Sequence, residues 1–247
     1  MSNASVIPID SLSERSARIP SLDWVRISRE LDAYGNAVLG RLLSPEECLE
    51  IAALYSKDDL FRSKVVMSRH GFGQGEYKYF KYPLPELLAE VRTTMYPHLA
   101  PIANRWNQAL GIHVNFPERH ADFIRRCHGA GQEKPTPLLL QYGPEDYNCL
   151  HQDLYGEHVF PLQLAILLSK PGRDFEGGEF VMTEQRPRMQ SRAQVVPLHQ
   201  GDGVLFAVHN RPVQGTRGVY RVNLRHGVSR VRSGQRHTLG IIFHDAK

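Results

Sequence analysis

His151, Gln152 and Asp153 form one half of a chemical constellation, and His226 with Arg236 ten residues further on forms the other. Side chains alternate along an extended chain, so in a strand His151 and Asp153 project to one side and can reach a single ion together. A helical pair would be spaced three or four apart. Around His226, Val222, Leu224 and Val228 alternate with Arg221, Asn223 and Arg225, which puts the histidine on the apolar, inward face of a second strand. Two imidazoles and one carboxylate can occupy one face of an octahedral Fe(II), leaving the opposite face for a chelating cosubstrate and dioxygen. Arg236 and Thr238 share a face of a further strand, where a guanidinium fork and a hydroxyl could hold one carboxylate. A keto diacid such as 2-oxoglutarate has a carboxylate to spare.

Two other histidines compete for the role. His209 ends the apolar run Val204 to Val208, but the stretch after it, Asn210 to Gly218, is rich in turn residues, and no later arginine there leads into a strand with a partner hydroxyl. His226 is therefore preferred. A second His-x-Asp, His120 and Asp122, lies in the charged run Glu118 to Arg126, which lacks strand alternation and is expected to be a solvated helix or loop. Cys149 has the strand parity of His151, which could bring it near the metal, while the commoner reading of such a residue is a small buried thiol; it is given no catalytic role.

The elements that must position these groups follow from periodicity. From Pro137 onward the chain breaks into short segments bounded by Gly and Pro: Leu138 to Tyr142, Asn148 to Leu154, Leu162 to Ser169, Glu179 to Thr183, Gln194 to Leu198, Val204 to His209, Val219 to Val231 and His237 to His244. Eight such strands suit two four-stranded sheets closed as a jelly roll, with the triad at one open mouth. Upstream, Asp23 to Tyr34 has near-helical spacing, Ala37 to Gly40 reads as a short strand, and Ser44-Pro45-Glu46-Glu47 opens a capped helix. Pro83 to Leu110 carries Leu87, Leu88, Val91, Met95, Leu99, Ile102 and Trp106 near one stripe, as a core-facing scaffold helix does. The fold class is thus mostly β with flanking helices: a double-stranded β-helix core over residues 137–247, a helical and lid region over 21–136 that buttresses it, and a loose leader over 1–20, in one folded domain overall.

Between Val65 and Pro83, Arg69, His70, Lys78 and Lys81 interleave with Phe72, Tyr77, Tyr79, Phe80 and Tyr82, punctuated by Gly71, Gly73 and Gly75. Two readings stay open. One is a lid in which Arg69, Lys78, Tyr79 and Lys81 meet substrate, aromatic faces stacking on bases while cations meet phosphates. The other is a β-hairpin packed on the barrel.

At these residues the chain resembles the Fe(II)- and 2-oxoglutarate-dependent dioxygenases, whose signature is His-x-Asp, a distal His and a downstream Arg. The resemblance runs from Pro137 to Asp245, taking in the Gly177-Gly178-Glu179-Phe180 turn, Gly201-Asp202 before an apolar strand, and His226-Gly227-Val228 through Gly234-Gln235-Arg236. It is similar in particular to a bacterial group associated with the AlkB-type oxygenases that repair alkylated DNA. The resemblance implies Fe(II) held by His151, Asp153 and His226, 2-oxoglutarate held by Arg236, Thr238 and Tyr142, dioxygen as the oxidant, and ascorbate as an occasional reductant. It further implies hydroxylation of an unactivated carbon or, on an N-methyl group, dealkylation with loss of formaldehyde. A hydroxylase of protein side chains, of the prolyl-hydroxylase kind, or of a small metabolite would use the same core. A non-catalytic barrel that senses metal or keto acid would keep the same ligands.

Composition narrows the setting. With 247 residues, 41% hydrophobic and 23% charged, the chain can bury a sizeable core. Met1 to Pro20 has no apolar run and resembles neither signal nor transit peptide. No window is apolar enough for a membrane helix, and Cys48, Cys127 and Cys149 cannot all pair, which suits a reducing cytoplasm. No phosphate-binding loop, nucleophile elbow or dinucleotide fingerprint offers another engine. The net charge of +4 is unevenly spread: Arg186 to Arg236 holds ten arginines and one acid, Asp202, a balance of +9 that leaves −5 for the remainder. Such a stretch could track the phosphates of single-stranded or damaged nucleic acid, the expected partner. The oligomeric state is not legible.

Overall fold

The computed structural model describes residues 17–154 and 156–247. Helix α1 (Trp24–Tyr34) starts where the Asp23 carboxylate accepts from the Arg26 amide, and buries Ile27 and Leu31. Helix α2 (Pro45–Ala53) opens with a reciprocal Ser44–Glu47 capping box and proline in its first turn. The long helix α3 (Glu86–Ala109) buries Leu88, Val91, Met95, Leu99, Ile102 and Trp106. The charged run becomes α4 (His120–Gly129), an amphipathic helix that buries His120, Phe123 and Cys127 and leaves Asp122 to Arg119 and Arg125. Its His-x-Asp is thereby split between two faces.

The strands before the core are β1 (Asn36–Leu39), β2 (Phe61–Val66), β3 (Gly73–Gln74) and β4 (Glu76–Phe80). Those after residue 137 are β5 (Leu138–Tyr142), β6 (Tyr147–His151), β7 (Leu162–Leu167), β8 (Phe175–Gly177), β9 (Phe180–Gln185) and β10 (Arg192–Val196), then β11 (Gly203–Ala207), β12 (Asn210–Gly215), β13 (Gly218–Val228), β14 (Val231–Gly234) and β15 (Arg236–Ile242). They form a seven-stranded sheet in the order β1-β11-β7-β15-β5-β4-β2, a six-stranded sheet β10-β9-β13-β6-β3 with β12 also on β13, and the pair β14-β8. This is the mostly-β jelly roll with flanking helices.

The sheets are larger than the expected four and four. Strand β1 is the short strand expected at Ala37 to Gly40, and with β2 and β4 it makes the region before residue 137 continue the major sheet at both edges. Val65 to Pro83 takes the hairpin form, β2 pairing with β4 and β4 with β5. The stretch after His209 is also a strand: β12 folds back on β13 through a tight connection at Gly215 and Gly218, and its turn residues serve that hairpin. Helices α2 and α3 lie against β15, and α1 against β1 and β11. The leader falls mostly outside the described residues, but residues 17–20 pack on the fold, with Ile19 buried and Arg18 bonded to the Leu42 carbonyl and to Glu47.

One buried polar cluster ties the helices to the end of β15. Arg92 of α3 donates to the Ile242 and His244 carbonyls and pairs with the buried Asp245 at 2.8 Å, which also accepts from Tyr82 and contacts His128.

Candidate metal centre

Strands β6 and β13 bring the triad together. His226 lies directly opposite His151, and their ring centroids are 4.2 Å apart. Along β13, Val222, Leu224 and His226 are buried while Arg221, Asn223 and Arg225 are exposed, as alternation demands. Strand β6 stops at His151, so Asp153 sits just past the strand end and turns its carboxylate back between the two rings. Its Oδ1 is 3.4 Å from His151 Nε2 and its Oδ2 is 3.4 Å from His226 Nε2. One donor atom from each of the three residues falls within 4.8 Å of the others.

Neighbouring groups fix these donors. The His151 Nδ1–H donates to the Cys149 carbonyl at 2.8 Å, leaving the Nε2 lone pair to face the carboxylate. Gln152, between the ligands, donates to Asn223 Oδ1 and to the Leu224 carbonyl, fastening the segment to β13. Burial opposes charge on Asp153, but the bonds from His151 and His226 outweigh it and hold the carboxyl well below the usual range. Burial pulls His226 below its ordinary value; burial pulls His151 the same way, but Asp153 outweighs it and raises that ring. A permanent carboxylate and a neutral imidazole are the forms that bind a divalent cation. The set of two N and one O donors, with an open cavity in front, fits Fe(II).

The cavity, about 280 Å³, runs from the triad to Arg236 and Thr238 on β15 and Tyr142 on β5. Arg236 is 1% exposed, donates to Thr238 Oγ1, and makes no ion pair among the described residues. Its Nε has no acceptor. Burial drops its pKa to about 10, against the weaker pull of Tyr142 and Glu179, so it is still a cation at neutral pH. A buried guanidinium with no ion-pair partner among the described residues, beside a hydroxyl, fits an incoming carboxylate. The buried Tyr142 hydroxyl likewise has no hydrogen-bond acceptor among the described residues, and the Asn148 amide lies near it. Gly178 makes the space: a Cβ there would fall 2.8 Å from Arg236 Cδ, and its φ of +62° suits glycine.

Other expectations fare differently. Tyr79 lines the cavity together with Tyr77 and Phe72. Lys78 does not: one position along β4 reverses its direction, and its Nζ is buried against the Tyr55 carbonyl at 2.7 Å and Asp58 at 2.6 Å. Arg69 and Lys81 are exposed and lie off the cavity wall. His209 is outside the cluster, its Nε2 against the Asn210 amide. Cys149 is exposed, not buried. The register explains why: between the pairs His226–His151 and Val228–Asn148 the chain advances two residues on β13 but three on β6, and this bulge turns Cys149 away from the face of His151.

Sequence reading missed Gln132. This buried side chain accepts from the Glu157 and His158 amides and donates to the Asp245 carbonyl, so it secures the loop leaving Asp153. No local pattern marks it, because its partners lie far along the chain.

A family model, Oxygenase-NA, described as an oxygenase catalysing oxidative methylation of damaged DNA, matches residues 75–246. The chain belongs to this family. An uncharacterised protein found in two strains of Mycobacterium tuberculosis, CDC 1551 / Oshkosh and ATCC 25618 / H37Rv, is 48% identical over 167 residues, covering 68% of this chain and 72% of the relative. The Oxygenase-NA chain shares its fold with an oxidoreductase of the 2OG-Fe(II) oxygenase family from Burkholderia pseudomallei (15% identity, 92% and 93% of the two chains, TM-score 0.53). It is also similar in fold to a Pseudomonas putida prolyl-4-hydroxylase (13%, 91% and 99%, 0.51) and to a Trichoplax adhaerens prolyl hydroxylase bound to a hypoxia inducible factor peptide fragment (11%, 95% and 92%, 0.52). This Oxygenase-NA protein is a 2-oxoglutarate- and Fe(II)-dependent oxygenase, with Fe(II), 2-oxoglutarate and dioxygen as its cofactors. No described helix is long and apolar enough to cross a membrane.

Proposed function

We propose that this oxygenase oxidatively dealkylates bases in single-stranded or damaged nucleic acid. The observation that carries the reading is the charge of the six-stranded sheet. Its strands contain a single acid, Glu184, and that residue is buried against Arg211. Arg221 and Arg225 stand exposed on the outer face of β13 and make no ion pair among the described residues. Arg186 and Arg192, by contrast, are drawn to Glu184, at 2.9 and 3.5 Å, and Arg230 to Glu145 at 3.0 Å, so part of the arginine-rich stretch is neutralised by acids outside it. The phosphate-tracking role falls to Arg221 and Arg225. The rim of the cavity supports it: Phe72 is exposed and stacks on His70 with centroids 5.3 Å apart, and Leu154 stands exposed beside it. A base can stack on such a surface whatever its sequence context.

In this reading His151, Asp153 and His226 hold the iron on one face, and Arg236 with Thr238 orients the keto acid by its far carboxylate. Tyr142 donates to the same ligand. Bound together, these cofactors supply the oxidant that hydroxylates an unactivated carbon, which on an N-methyl group leads to loss of formaldehyde. The apolar wall of Leu138, Leu140, Phe180, Phe206 and Val228 excludes water and keeps the target carbon close.

The test is binding to a methylated single-stranded oligonucleotide across a salt series, with formaldehyde release measured beside it. Affinity is expected to fall steeply with salt and to weaken further in Arg221→Ala/Arg225→Ala. Salt-independent or absent binding, together with succinate formation on a prolyl peptide or small metabolite, would replace this reading with a hydroxylase. Absence of keto-acid turnover on any substrate would leave a sensing barrel.

A further inference from the structure

The cavity wall carries a buried amide that neither the metal nor the keto acid uses. Gln163 on β7 lines it and is 4% exposed, and its Nε2 is sealed from solvent with no hydrogen-bond partner among the described residues. Its register partners are Phe206 on one side and Ile242 on the other, and both also line the cavity. The Phe206 ring in turn packs on His226 with centroids 4.5 Å apart. The amide therefore stands in an apolar wall one strand away from a ring that touches a triad histidine. An unmet donor at a buried position destabilises the fold, and a leucine would fill the same space without that penalty.

Its place sets it apart from the keto-acid anchor. On β7 and β15, Leu167 lies opposite Thr238 and Gln163 opposite Ile242. Four strand residues span about 13 Å at roughly 3.3 Å each. Gln163 thus stands well along the sheet from the keto-acid anchor, toward the end of the cavity where Phe206 meets His226.

We propose that Gln163 reads the substrate: its side-chain amide pairs with an adjacent donor and acceptor on the group that is oxidised, as the edge of an alkylated nucleobase presents. An amide donates and accepts side by side, which is the geometry by which glutamine meets adenine. The choice of a nucleobase rests on the nucleic-acid reading above; the hydrogen-bonding role of Gln163 does not. A site with a desolvated amide discriminates strongly against substrates that leave it unpaired.

Gln163→Leu tests the proposal through two independent readouts. Without substrate, the variant should unfold at a higher temperature than wild type, because an unmet polar group has gone. With substrate, its KM on N-methylated oligonucleotides should rise at least about tenfold, the factor that one good hydrogen bond carries, while anaerobic Fe(II) affinity and the 2-oxoglutarate requirement stay as in wild type. Gln163→Met, closer to the original in length, should behave alike. A lower unfolding temperature with unchanged KM would assign Gln163 to packing and overturn the proposal. If wild type ignores oligonucleotides but turns over a prolyl peptide, and Gln163→Leu raises that KM, the nucleic-acid reading fails and the role of Gln163 stands. If oligonucleotides are turned over with the same KM by both proteins, the nucleic-acid reading stands and Gln163 loses its role.

Discussion

Gln132 and Gly156 interlock so closely that a Cβ on the glycine, whose φ is +89°, would fall 2.5 Å from the glutamine Cδ. The Gln132 side-chain oxygen Oε1 meanwhile accepts from the Glu157 amide at 2.9 Å and the His158 amide at 2.7 Å. Groups that orient metal ligands are worth about 10- to 100-fold in affinity. Gln132→Leu should therefore weaken Fe(II) binding by at least about tenfold in an anaerobic titration, with little change in the keto-acid requirement at saturating iron. Gly156→Ala should do the same from the other side of the contact.

The identity of the third ligand is open to direct measurement. His226→Ala should bind less than stoichiometric iron, since it removes one of the three converging donors. His209→Ala should retain a full equivalent, because that ring faces the Asn210 amide. The reverse pattern of metal stoichiometries would move the centre.

Arg236→Lys should raise the 2-oxoglutarate KM by at least about tenfold while sparing iron, because a lysine cannot reproduce a planar two-donor fork. Gly178→Ala should raise the same constant by pressing on Arg236 Cδ, 2.8 Å from the added carbon. An unchanged requirement in both variants would place the anchor elsewhere, with Arg230 and Arg232 the next to examine.

Acid should destabilise the fold through two histidines outside the metal centre. His120 and His244 are buried, and burial together with Arg92 lowers each from the usual 6.5 to about 4. His244 is needed neutral, because its Nδ1 accepts from the Phe160 amide at 3.2 Å; at His120 burial outweighs the bond that Nε2–H donates to the Phe243 carbonyl at 2.8 Å, which by itself favours the charged ring. The unfolded chain takes up protons first as pH falls. The stability these rings contribute is thus complete above 6.5 and is lost between 6.5 and 4, at up to about 1.4 kcal/mol per pH unit for each ring. Urea unfolding at pH 7 and pH 5 should show the loss, and His120→Asn should reduce it. Equal slopes in the two proteins would remove His120 from the account.

The pattern of side chains revealed faces better than partners. Alternation around His226 places Val222, Leu224 and the histidine inward as the structure has them, and the strand Leu138–Tyr142 has the expected limits. The same rule misplaces Cys149, because a bulge inserts one residue into β6 and leaves no mark in composition. It also leaves Lys78 undecided, since the carboxylate that claims it, Asp58, sits on a separate turn. Half of the arginine-rich stretch looks free until the fold brings Glu184, Glu145 and Glu179 to it. Gln132 and Gln163 stand out only once long-range neighbours are known.

The order of the major sheet has a consequence for how the protein is made. Strand β15, last in chain order of the described strands, lies between β7 and β5 near the sheet's middle. Until it inserts, β5 and β7 each expose a bare edge, and the His151 half of the metal centre exists without its anchor Arg236. Pairings across such separations form slowly and leave unpaired edges open to other chains. Strand β15 is thus both the keystone of the sheet and the bearer of the keto-acid anchor, so a chain in which it has not yet paired has neither a sealed core nor a functional oxidising centre.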